Sequence, residues 1–238
     1  MRTAPPTLYA AHVSWPSTPQ ALQAAQRGIG ALSPPAWEPA DDALTIAGCF
    51  VCFPRAATGP GGAGEPAWAA AVAMRASNVE AETVLEGVSG ASYEAGLLAL
   101  REGALLEATV RALPMLPDVL LVNATGLDHP RRCGLALHLG YALDLPTVGV
   151  THRPLVANGD WPPDRAGATA PLYLDGSVTG FWLRTRTGTR PLAVHSAWRT
   201  APEVALDVVR RSIVAGRTPE PIRRARELAR LARQKTGH

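Results

Sequence analysis

Residues 118–150 limit the folds that are open to this chain more than any other stretch. The apolar run DVLLV (118–122) predicts a buried strand, the segment Arg132–Leu143 has helical spacing, and TVGV (147–150) predicts a second buried strand. Two buried strands joined through a helix pair in parallel, with a right-handed crossover. The stretch therefore predicts an α/β unit, and the polar segment after its first strand lies where such units place binding and catalytic groups.

Three further β-rich runs precede this unit. LTIAGCFVC (44–52), AWAAAVAMRA (67–76) and the alternating segment Val79–Val88 are separated by glycine- or asparagine-containing connections, which favours an antiparallel meander. A long helix is then predicted over Gly96–Leu113. Three antiparallel strands followed by helix, strand, helix and strand indicate a ribonuclease H-like α/β fold, in which a mixed sheet is flanked by helices.

The remaining segments extend this layout at both ends of the chain. The pair Asp175–Gly176 between two alternating runs predicts a β-hairpin. The other predicted elements are a first helix over 17–32 capped by Ser17 or Thr18, a strand in RPLAVHS (190–196), and closing helices over Ala201–Val214 and Glu220–Arg233. We expect one domain over residues 1–238, with residues 1–16 as a loosely ordered N-terminal segment.

The composition is that of a globular protein. Of its residues, 47% are hydrophobic and 18% are charged, and no window approaches the roughly 20 apolar residues that span a membrane. The N-terminus has no uninterrupted apolar segment of the secretory type, and three cysteines are too few for a disulfide framework. These features favour a reduced, cytoplasmic protein without a membrane partner. A monomer is the favoured oligomeric state, although the sequence does not determine it.

The positive charge of the chain is modest. A net charge of +3 permits a polyanionic partner without requiring one. The closing helix is rich in arginine, with the sequence RRARELARLAR (223–233). Two interpretations of this run stay open: a solvated helix face, or a face that contacts phosphate groups.

Three blocks of sequence carry a resemblance to a known family. They are SYEAGLLALREG (92–103), the long block from PDVLLVNATGLDHPRRCG to PTVGVTHRPL (117–155), and PLYLDGSVTGFWLRT (171–185) with GRTPEPIRRA (216–225). Their order and spacing resemble the endonuclease V family from about residue 17 to 235. The resemblance implies a ribonuclease H-like fold and a Mg²⁺ cofactor. It also implies cleavage of the phosphodiester bond one nucleotide 3′ of a deaminated purine such as inosine, in DNA or RNA.

The metal-binding positions implied by the resemblance are only partly retained. Metal-dependent phosphodiester hydrolysis needs several carboxylates around Mg²⁺, because hard cations prefer oxygen ligands and their charge must be balanced. The first-strand aspartate of the family is Phe50 here, the helix acid is retained as Glu102, and the aspartate that opens the polar segment is Asn123. With one carboxylate of three remaining, we expect Mg²⁺ binding and catalysis by the family mechanism to be impaired or lost.

The supporting groups of the site have changed as well. His129 of the HPRR motif is retained, whereas His152 replaces a family lysine and Trp198 replaces a late family histidine. We expect the positions of Phe50, Asn123 and Trp198 to converge in the fold.

Asp128 is a candidate replacement for the lost acids. It stands beside His129, where the family usually has a small residue. One interpretation is that its carboxylate joins Glu102 and Asn123 as a metal ligand. The alternative is a loop-surface charge, or a group that caps the segment near His129 and Pro130.

The substrate-binding positions are also partly retained. Tyr93 corresponds to the aromatic residue of the family's wedge and could stack on a base, while the methyl group of Ala124 narrows a loop that lies close to a flipped base in the family. Arg131 and Arg132 form a basic pair suited to phosphate, with pairing to Asp128 as the alternative. The positions implied for substrate binding are Tyr93, Gly96, Ala124, Gly126, Arg131, Arg132 and Leu155.

Two short patterns are typical of other chemistry. Cys49 and Cys52 match the C-x-x-C spacing of redox and zinc sites, but positions i and i+3 of a strand face opposite sides. His195 precedes Ser196, yet we expect no acid partner or nucleophile elbow beside it. We therefore interpret His195 as a hydrogen-bonded histidine at a strand end.

Three functions are compatible with the sequence. The first is a nucleic-acid-binding protein with a degenerate metal site. The second is an active endonuclease V-type enzyme, or a hydrolase rebuilt in the same pocket, that uses Glu102, Asp128 and Asn123. The third is a non-enzymatic scaffold subunit, for which the sequence has no interface signature. Metal-dependent nicking of an inosine-containing strand separates the first two, and a lack of nucleic-acid affinity favours the third.

Overall fold

The computed structural model describes residues 14–40, 43–55 and 59–237. Residues 1–13 of the predicted N-terminal segment lie outside these ranges. Trp15, at the end of that segment, is packed rather than loose. Its ring centroid lies 4.4 Å from that of His138, and its indole N–H donates a 2.5 Å hydrogen bond to the carboxylate of Glu107.

The described residues form eight strands in one mixed sheet. The strands are β1 Thr45–Cys52, β2 Pro66–Arg75, β3 Asn78–Val88, β4 Val119–Val122, β5 Thr147–Thr151, β6 Thr169–Leu174, β7 Ser177–Leu183 and β8 Leu192–Ser196. Their order is β3-β2-β1-β4-β5-β8-β7-β6. β1, β2 and β3 are antiparallel neighbours, and β1, β4 and β5 are parallel neighbours. This arrangement confirms the predicted ribonuclease H-like α/β layout, and β8 with the β6–β7 hairpin extends the same sheet in antiparallel pairing.

Five helices in the described part of the chain cover the two faces of the sheet. They are α1 Pro19–Gly30, α2 Leu98–Arg111, α3 Leu135–Leu143, α4 Pro202–Arg211 and α5 Glu220–Lys235. α1, α2 and α3 share one apolar core with the sheet, and α4 and α5 form two further cores on the opposite face. None of these helices combines the length and the apolarity that crossing a membrane requires.

Side chains of β1 alternate between these two faces. Cys49 belongs to the core beneath α2, and Cys52 belongs to the core beneath α5. The prediction that the C-x-x-C spacing separates the two thiols is therefore confirmed. Gly48 lets α5 lie close to the strand, because a Cβ atom there would overlap the backbone of Pro221 and Ile222. This close packing places α5 directly over one face of β1.

The polar segment after β4 is longer than the sequence predicts. The helix expected from Arg132 begins only at Leu135, because Arg132 has a φ of +54° and Gly134 is extended. The predicted hairpin turn is confirmed: Asp175 and Gly176 have φ values of +50° and +76°, as a two-residue turn with positive φ at both positions requires.

Candidate active site

Two adjoining cavities open at the edge of the sheet where the parallel strands β1, β4 and β5 end. Such an edge collects polar groups from the loops that follow each strand. We name one of them the acid cavity; it measures about 340 Å³ and its lining includes Phe50, Glu102 and Asn123. We name the other the loop cavity; it measures about 270 Å³ and its lining includes loop residues 93–96 and 153–155.

The acid cavity brings together the three positions at which the family resemblance implies metal ligands. Phe50 comes from β1, Glu102 from α2, and Asn123 directly follows β4. Glu102 is half-buried and Asn123 is exposed. His152, which replaces the family lysine, is exposed on the turn after β5 and lines neither cavity.

Burial disfavours the charged form of the retained acid of this cavity. Burial raises the pKa of the Glu102 carboxyl from its ordinary 4.5 to about 8, and the Arg101 cation only partly opposes the shift. The Arg101 guanidinium is engaged elsewhere, in a 2.5 Å ion pair with Glu65 and 3.8 Å above the ring of Phe53. A metal ion bound here would have to displace the proton that burial favours on this carboxyl, which weakens metal binding.

Mg²⁺ does not fit the donors of the acid cavity. The ring of Phe50 has no donor atom, Asn123 supplies a neutral amide oxygen, and burial disfavours the charged form of the Glu102 carboxyl. Among the residues that the structure describes, no group of three or more His, Cys, Asp or Glu side chains is placed to hold a metal ion. The cavity therefore lacks the negative charge that compensates Mg²⁺ for its lost hydration shell.

Asp128 does not join the acid cavity, which corrects the prediction that it could serve as a metal ligand there. Its carboxylate is fully buried. One oxygen accepts a hydrogen bond from the backbone N–H of Leu155 at 2.7 Å, and the other accepts from Val156 at 2.8 Å and Ala157 at 2.6 Å. The alternative prediction of a surface charge is equally wrong. Asp128 is a buried anchor for the loop that contains residues 155–157.

His195 has an acidic neighbour that its sequence context does not reveal. Its Nδ1 atom lies 3.5 Å from Asp128 Oδ2, and its Nε2 atom lies 2.7 Å from the hydroxyl of Thr151. Burial lowers the pKa of His195, although the Asp128 carboxylate opposes the shift, so the ring is neutral at neutral pH. The predicted hydrogen bond at the strand end is confirmed, whereas the expectation of no acid partner is wrong.

Trp198 does not converge with Phe50 and Asn123. Its side chain is 2% exposed and contacts Tyr141 edge-on, with ring centroids 5.2 Å apart. It packs against Gly140 of α3, where a Cβ atom would overlap it. The prediction of convergence is therefore wrong for Trp198, because the residue follows β8, which β4 and β5 separate from β1.

Three side chains around the loop cavity donate hydrogen bonds to the same backbone carbonyl group. The carbonyl of Gly96 accepts hydrogen bonds from Arg131 Nη2 at 2.9 Å, His129 Nε2 at 3.0 Å and Gln26 Nε2 at 3.2 Å. His129 Nδ1 accepts the backbone N–H of Arg131 at 3.1 Å, so the proton of the neutral ring lies on Nε2. Burial lowers the pKa of His129, which favours the neutral form of the ring. The loop 93–96 is thus tied to the HPRR motif and to α1.

The two arginines of the HPRR motif have different partners, and neither forms the predicted alternative pair with Asp128. Arg131 also donates from Nε to the side-chain oxygen of Gln26 at 2.7 Å. Arg132 forms a 2.8 Å ion pair with Asp175 on the surface. A surface ion pair of this kind is weak, so Arg132 is the more available of the two for a phosphate group.

The other predicted substrate positions lie at or beneath the loop cavity. Tyr93 and Leu155 are 56% and 39% exposed at its rim. Ala124 is buried in its wall. Gly126 packs against the carbonyl of Ser196, where a Cβ atom would overlap the backbone. Tyr93 is therefore free to stack on a base, whereas Gly126 is required by close packing.

Two groups at this edge have no role in the sequence analysis, and a third, Arg226, is considered there only as part of the arginine-rich run 223–233. Gln26 and Thr151 have no local signal, because their partners lie 70 and 44 residues away in the chain. Arg226 of α5 lies with its Cζ atom 5.2 Å from the centroid of the Phe50 ring. The sequence could have indicated that Arg226 faces the sheet. It lies four residues after the buried Ile222, and residues at that spacing share one helix face.

The sequence of the chain matches the family model described as Endonuclease V over residues 38–227. It is 39% identical over 195 residues to the endonuclease V of Methanopyrus kandleri, covering 81% of this chain and 80% of that protein. It is also 42% identical over 137 residues to the endonuclease V of a Roseiflexus species, covering 58% of this chain and 62% of that protein.

Solved structures agree with these sequence matches. The endonuclease V of Streptomyces avermitilis superposes with a TM-score of 0.80 at 32% identity, covering 94% of this chain and 96% of that chain. The catalytic domain of human endonuclease V superposes with a TM-score of 0.80 at 26% identity, covering 91% of this chain and 96% of that chain. The family model and the 39% identical relative each span most of the sequence, and the chain belongs to the endonuclease V family.

Proposed function

We propose that this protein binds nucleic acid that contains a deaminated purine and does not cleave it by a Mg²⁺-dependent route. The observation that carries the proposal is the acid cavity, where Phe50 and Asn123 stand at two of the three implied metal positions. The third group, Glu102, has a pKa raised to about 8 by burial. With two of the three carboxylates replaced and the third disfavoured as an anion by burial, the cavity lacks the charged oxygen ligands that Mg²⁺ prefers.

Retained binding is supported by the ordered state of the loop cavity. The three hydrogen bonds to the Gly96 carbonyl keep its wall in one arrangement, and a preorganised wall lowers the entropy lost on binding. Tyr93 is exposed at the rim that both cavities share. An aromatic ring in that position stacks on a nucleobase with about 1–3 kcal/mol per base.

A cleavage assay tests the catalytic half of the proposal. Inosine-containing single strands and duplexes of DNA and RNA are incubated with the protein in Mg²⁺ or Mn²⁺, with the Streptomyces avermitilis relative as the positive control. We expect no metal-dependent product. Nicking that requires the divalent ion and disappears in Glu102→Ala would show that the acid cavity is an active metal site, and would overturn the proposal.

A binding assay tests the other half. Fluorescence anisotropy with matched strands that differ only by inosine or adenosine measures both affinity and base preference in EDTA. We expect binding that favours inosine and is about tenfold weaker in Tyr93→Ala, the loss of roughly one stacked base. Leu116→Ala is the matched control, because Leu116 is also exposed but lines neither cavity. No detectable binding to any strand would favour a scaffold role instead.

A further inference from the structure

The surroundings of Phe50 are basic, although the family resemblance implies a metal-binding carboxylate at this position. The ring lies against α5, with the Arg226 guanidinium 5.2 Å from its centroid. His152 approaches from the turn after β5: burial and the nearby cations of Arg217 and Arg226 lower its pKa. A guanidinium therefore lies beside the position at which the family resemblance implies a carboxylate.

Arg226 and Arg230 differ from the other arginines of α5 in that their guanidinium groups have no hydrogen-bond or ion-pair partner among the described residues, and of the two only Arg226 lies against Phe50. Arg223 pairs with Glu220 at 2.5 Å and with Glu227, and Arg224 pairs with Glu220 at 2.9 Å. By contrast, Arg226 forms no hydrogen bond or ion pair with any residue in the described ranges, and its polar N–H groups are free to bind a ligand.

The remaining α5 cations and the nearby acids leave this surface positive. Arg233 donates to the carbonyl of Phe53 at 2.9 Å, and Arg230 is exposed one turn after Arg226. The acids of α5, Glu220 and Glu227, are both paired with arginines of the same helix.

We propose that Arg226, supported by the ring of Phe50, binds a backbone phosphate of the nucleic acid directly, at the place where the family resemblance implies a metal ion. A guanidinium forms two parallel hydrogen bonds to phosphate oxygens and is weakly hydrated, so it binds the anion without the desolvation that Mg²⁺ demands. The cation–π contact with the Phe50 ring keeps the guanidinium beside it. The inference rests on the proposed function, because it states how the proposed binding site contacts the nucleic acid.

Binding of an inosine-containing strand, measured by anisotropy in EDTA at several salt concentrations, tests this inference. We expect Arg226→Ala to weaken binding about tenfold and to lower the salt slope by about 1, the loss of one phosphate contact. Arg224→Ala is the matched control, because it removes the same charge from the same helix at a side chain that is already paired with Glu220. We expect it to change affinity less than twofold.

A second pair of variants examines the ring. Phe50→Asp places a carboxylate beside Arg226 and is expected to weaken binding about as much as Arg226→Ala does, because the guanidinium then pairs within the protein. Phe50→Leu keeps the site apolar and is expected to have a smaller effect. Thermal unfolding verifies that each variant is folded. A loss of affinity in a folded variant then results from the altered contact between Phe50 and Arg226 and not from unfolding.

The outcomes separate this inference from the function on which it rests. Binding that is present in Mg²⁺ but absent in EDTA, or that responds equally to Arg226→Ala and Arg224→Ala, overturns the direct phosphate contact and leaves nucleic-acid binding in place. A wild-type protein that binds no strand overturns both. Metal-independent binding that falls only in Arg226→Ala and Phe50→Asp supports the inference.

Discussion

The acid cavity and the loop cavity share Tyr93, Leu98, Asn123 and Leu135 as a common wall, yet they are held in different ways. The walls of the loop cavity are fixed by hydrogen bonds between distant side chains and backbone, centred on Gly96 and Asp128. Cys49, Val51 and Leu106 line the acid cavity and belong to the apolar core.

This difference explains how metal ligands can be replaced without loss of the fold. Phe50 packs beside the apolar core beneath α5, so an apolar ring there is compatible with its surroundings. Asp128 and Arg131, in contrast, satisfy buried backbone groups, and replacing either leaves those groups without partners. The shape of the site therefore depends on the loop cavity, and its metal chemistry depends on the acid cavity alone.

The largest expected effect in this comparison comes from Asp128→Ala. The substitution leaves three backbone N–H groups at residues 155–157 without an acceptor and removes about 3 kcal/mol or more from the free energy of unfolding. In a protein of this size, that loss lowers the melting temperature by about 6–12 °C. Thermal unfolding followed by circular dichroism measures it.

Asp128→Asn and Phe50→Leu are the controls for this prediction. The asparagine retains one acceptor oxygen and is expected to lose about half as much stability. Phe50→Leu, on the acid cavity side, is expected to cost less than about 1.5 kcal/mol, as a substitution between apolar residues of similar size does. If Asp128→Ala melts as high as Phe50→Leu, the loop cavity is not held by the buried carboxylate.

A smaller, pH-dependent effect is expected in the acid cavity. The pKa of Glu102 is raised by burial from 4.5 to about 8, so the folded state holds a proton that the unfolded state releases. Stability contributed by the neutral carboxyl is complete below pH 4.5, decreases as the pH rises, and is lost above about pH 8. Melting temperatures of the wild type and Glu102→Gln are therefore expected to diverge by about 3 °C or more toward pH 8, with the variant the more stable.

A substitution of a solvent-exposed acid is the control for the Glu102→Gln experiment. Glu82→Gln on β3 removes a carboxylate that is exposed to solvent, and its melting temperature is expected to follow the wild type across the same range. Parallel curves for the wild type and Glu102→Gln would show that Glu102 is ionised in the folded state. A rise in the wild-type melting temperature on addition of Mg²⁺ would show that the cavity does bind the ion.

The fold was predictable because its signals are local. Strand and helix periods, the Asp175–Gly176 turn and the Thr18 cap each involve residues close in sequence, and the structure confirms the turn and the cap. The start of α3 was not predictable in the same way. Its delay to Leu135 accompanies the positive φ of Arg132, a backbone conformation that an arginine in the sequence does not predict.

The site could be predicted from the sequence only at positions where the residue type by itself determines the chemistry. Replacement of carboxylates by Phe50 and Asn123 is visible in the sequence alone. The role of Asp128 is not, because its three partners lie 27 to 29 residues away in an irregular loop. The burial of Trp198 behind α3 likewise depends on the order of strands in the sheet. That order separates Trp198 from Phe50 and Asn123, and the sequence motifs alone do not show it.

The smallest expected effect on stability is that of Arg132→Ala, and it distinguishes the two arginines of the HPRR motif. Arg132 and Asp175 form an ion pair in which 34% and 75% of the two side chains remain exposed. Such a pair contributes about 0–1 kcal/mol, so the melting temperature is expected to change by less than about 3 °C. Arg131→Ala, which removes hydrogen bonds to Gly96 and Gln26, is expected to lower it further. Equal effects of the two substitutions on thermal unfolding would mean that the hydrogen bonds around Gly96 contribute no more than a surface ion pair does, and that the loop cavity is held by packing in the same way as the acid cavity.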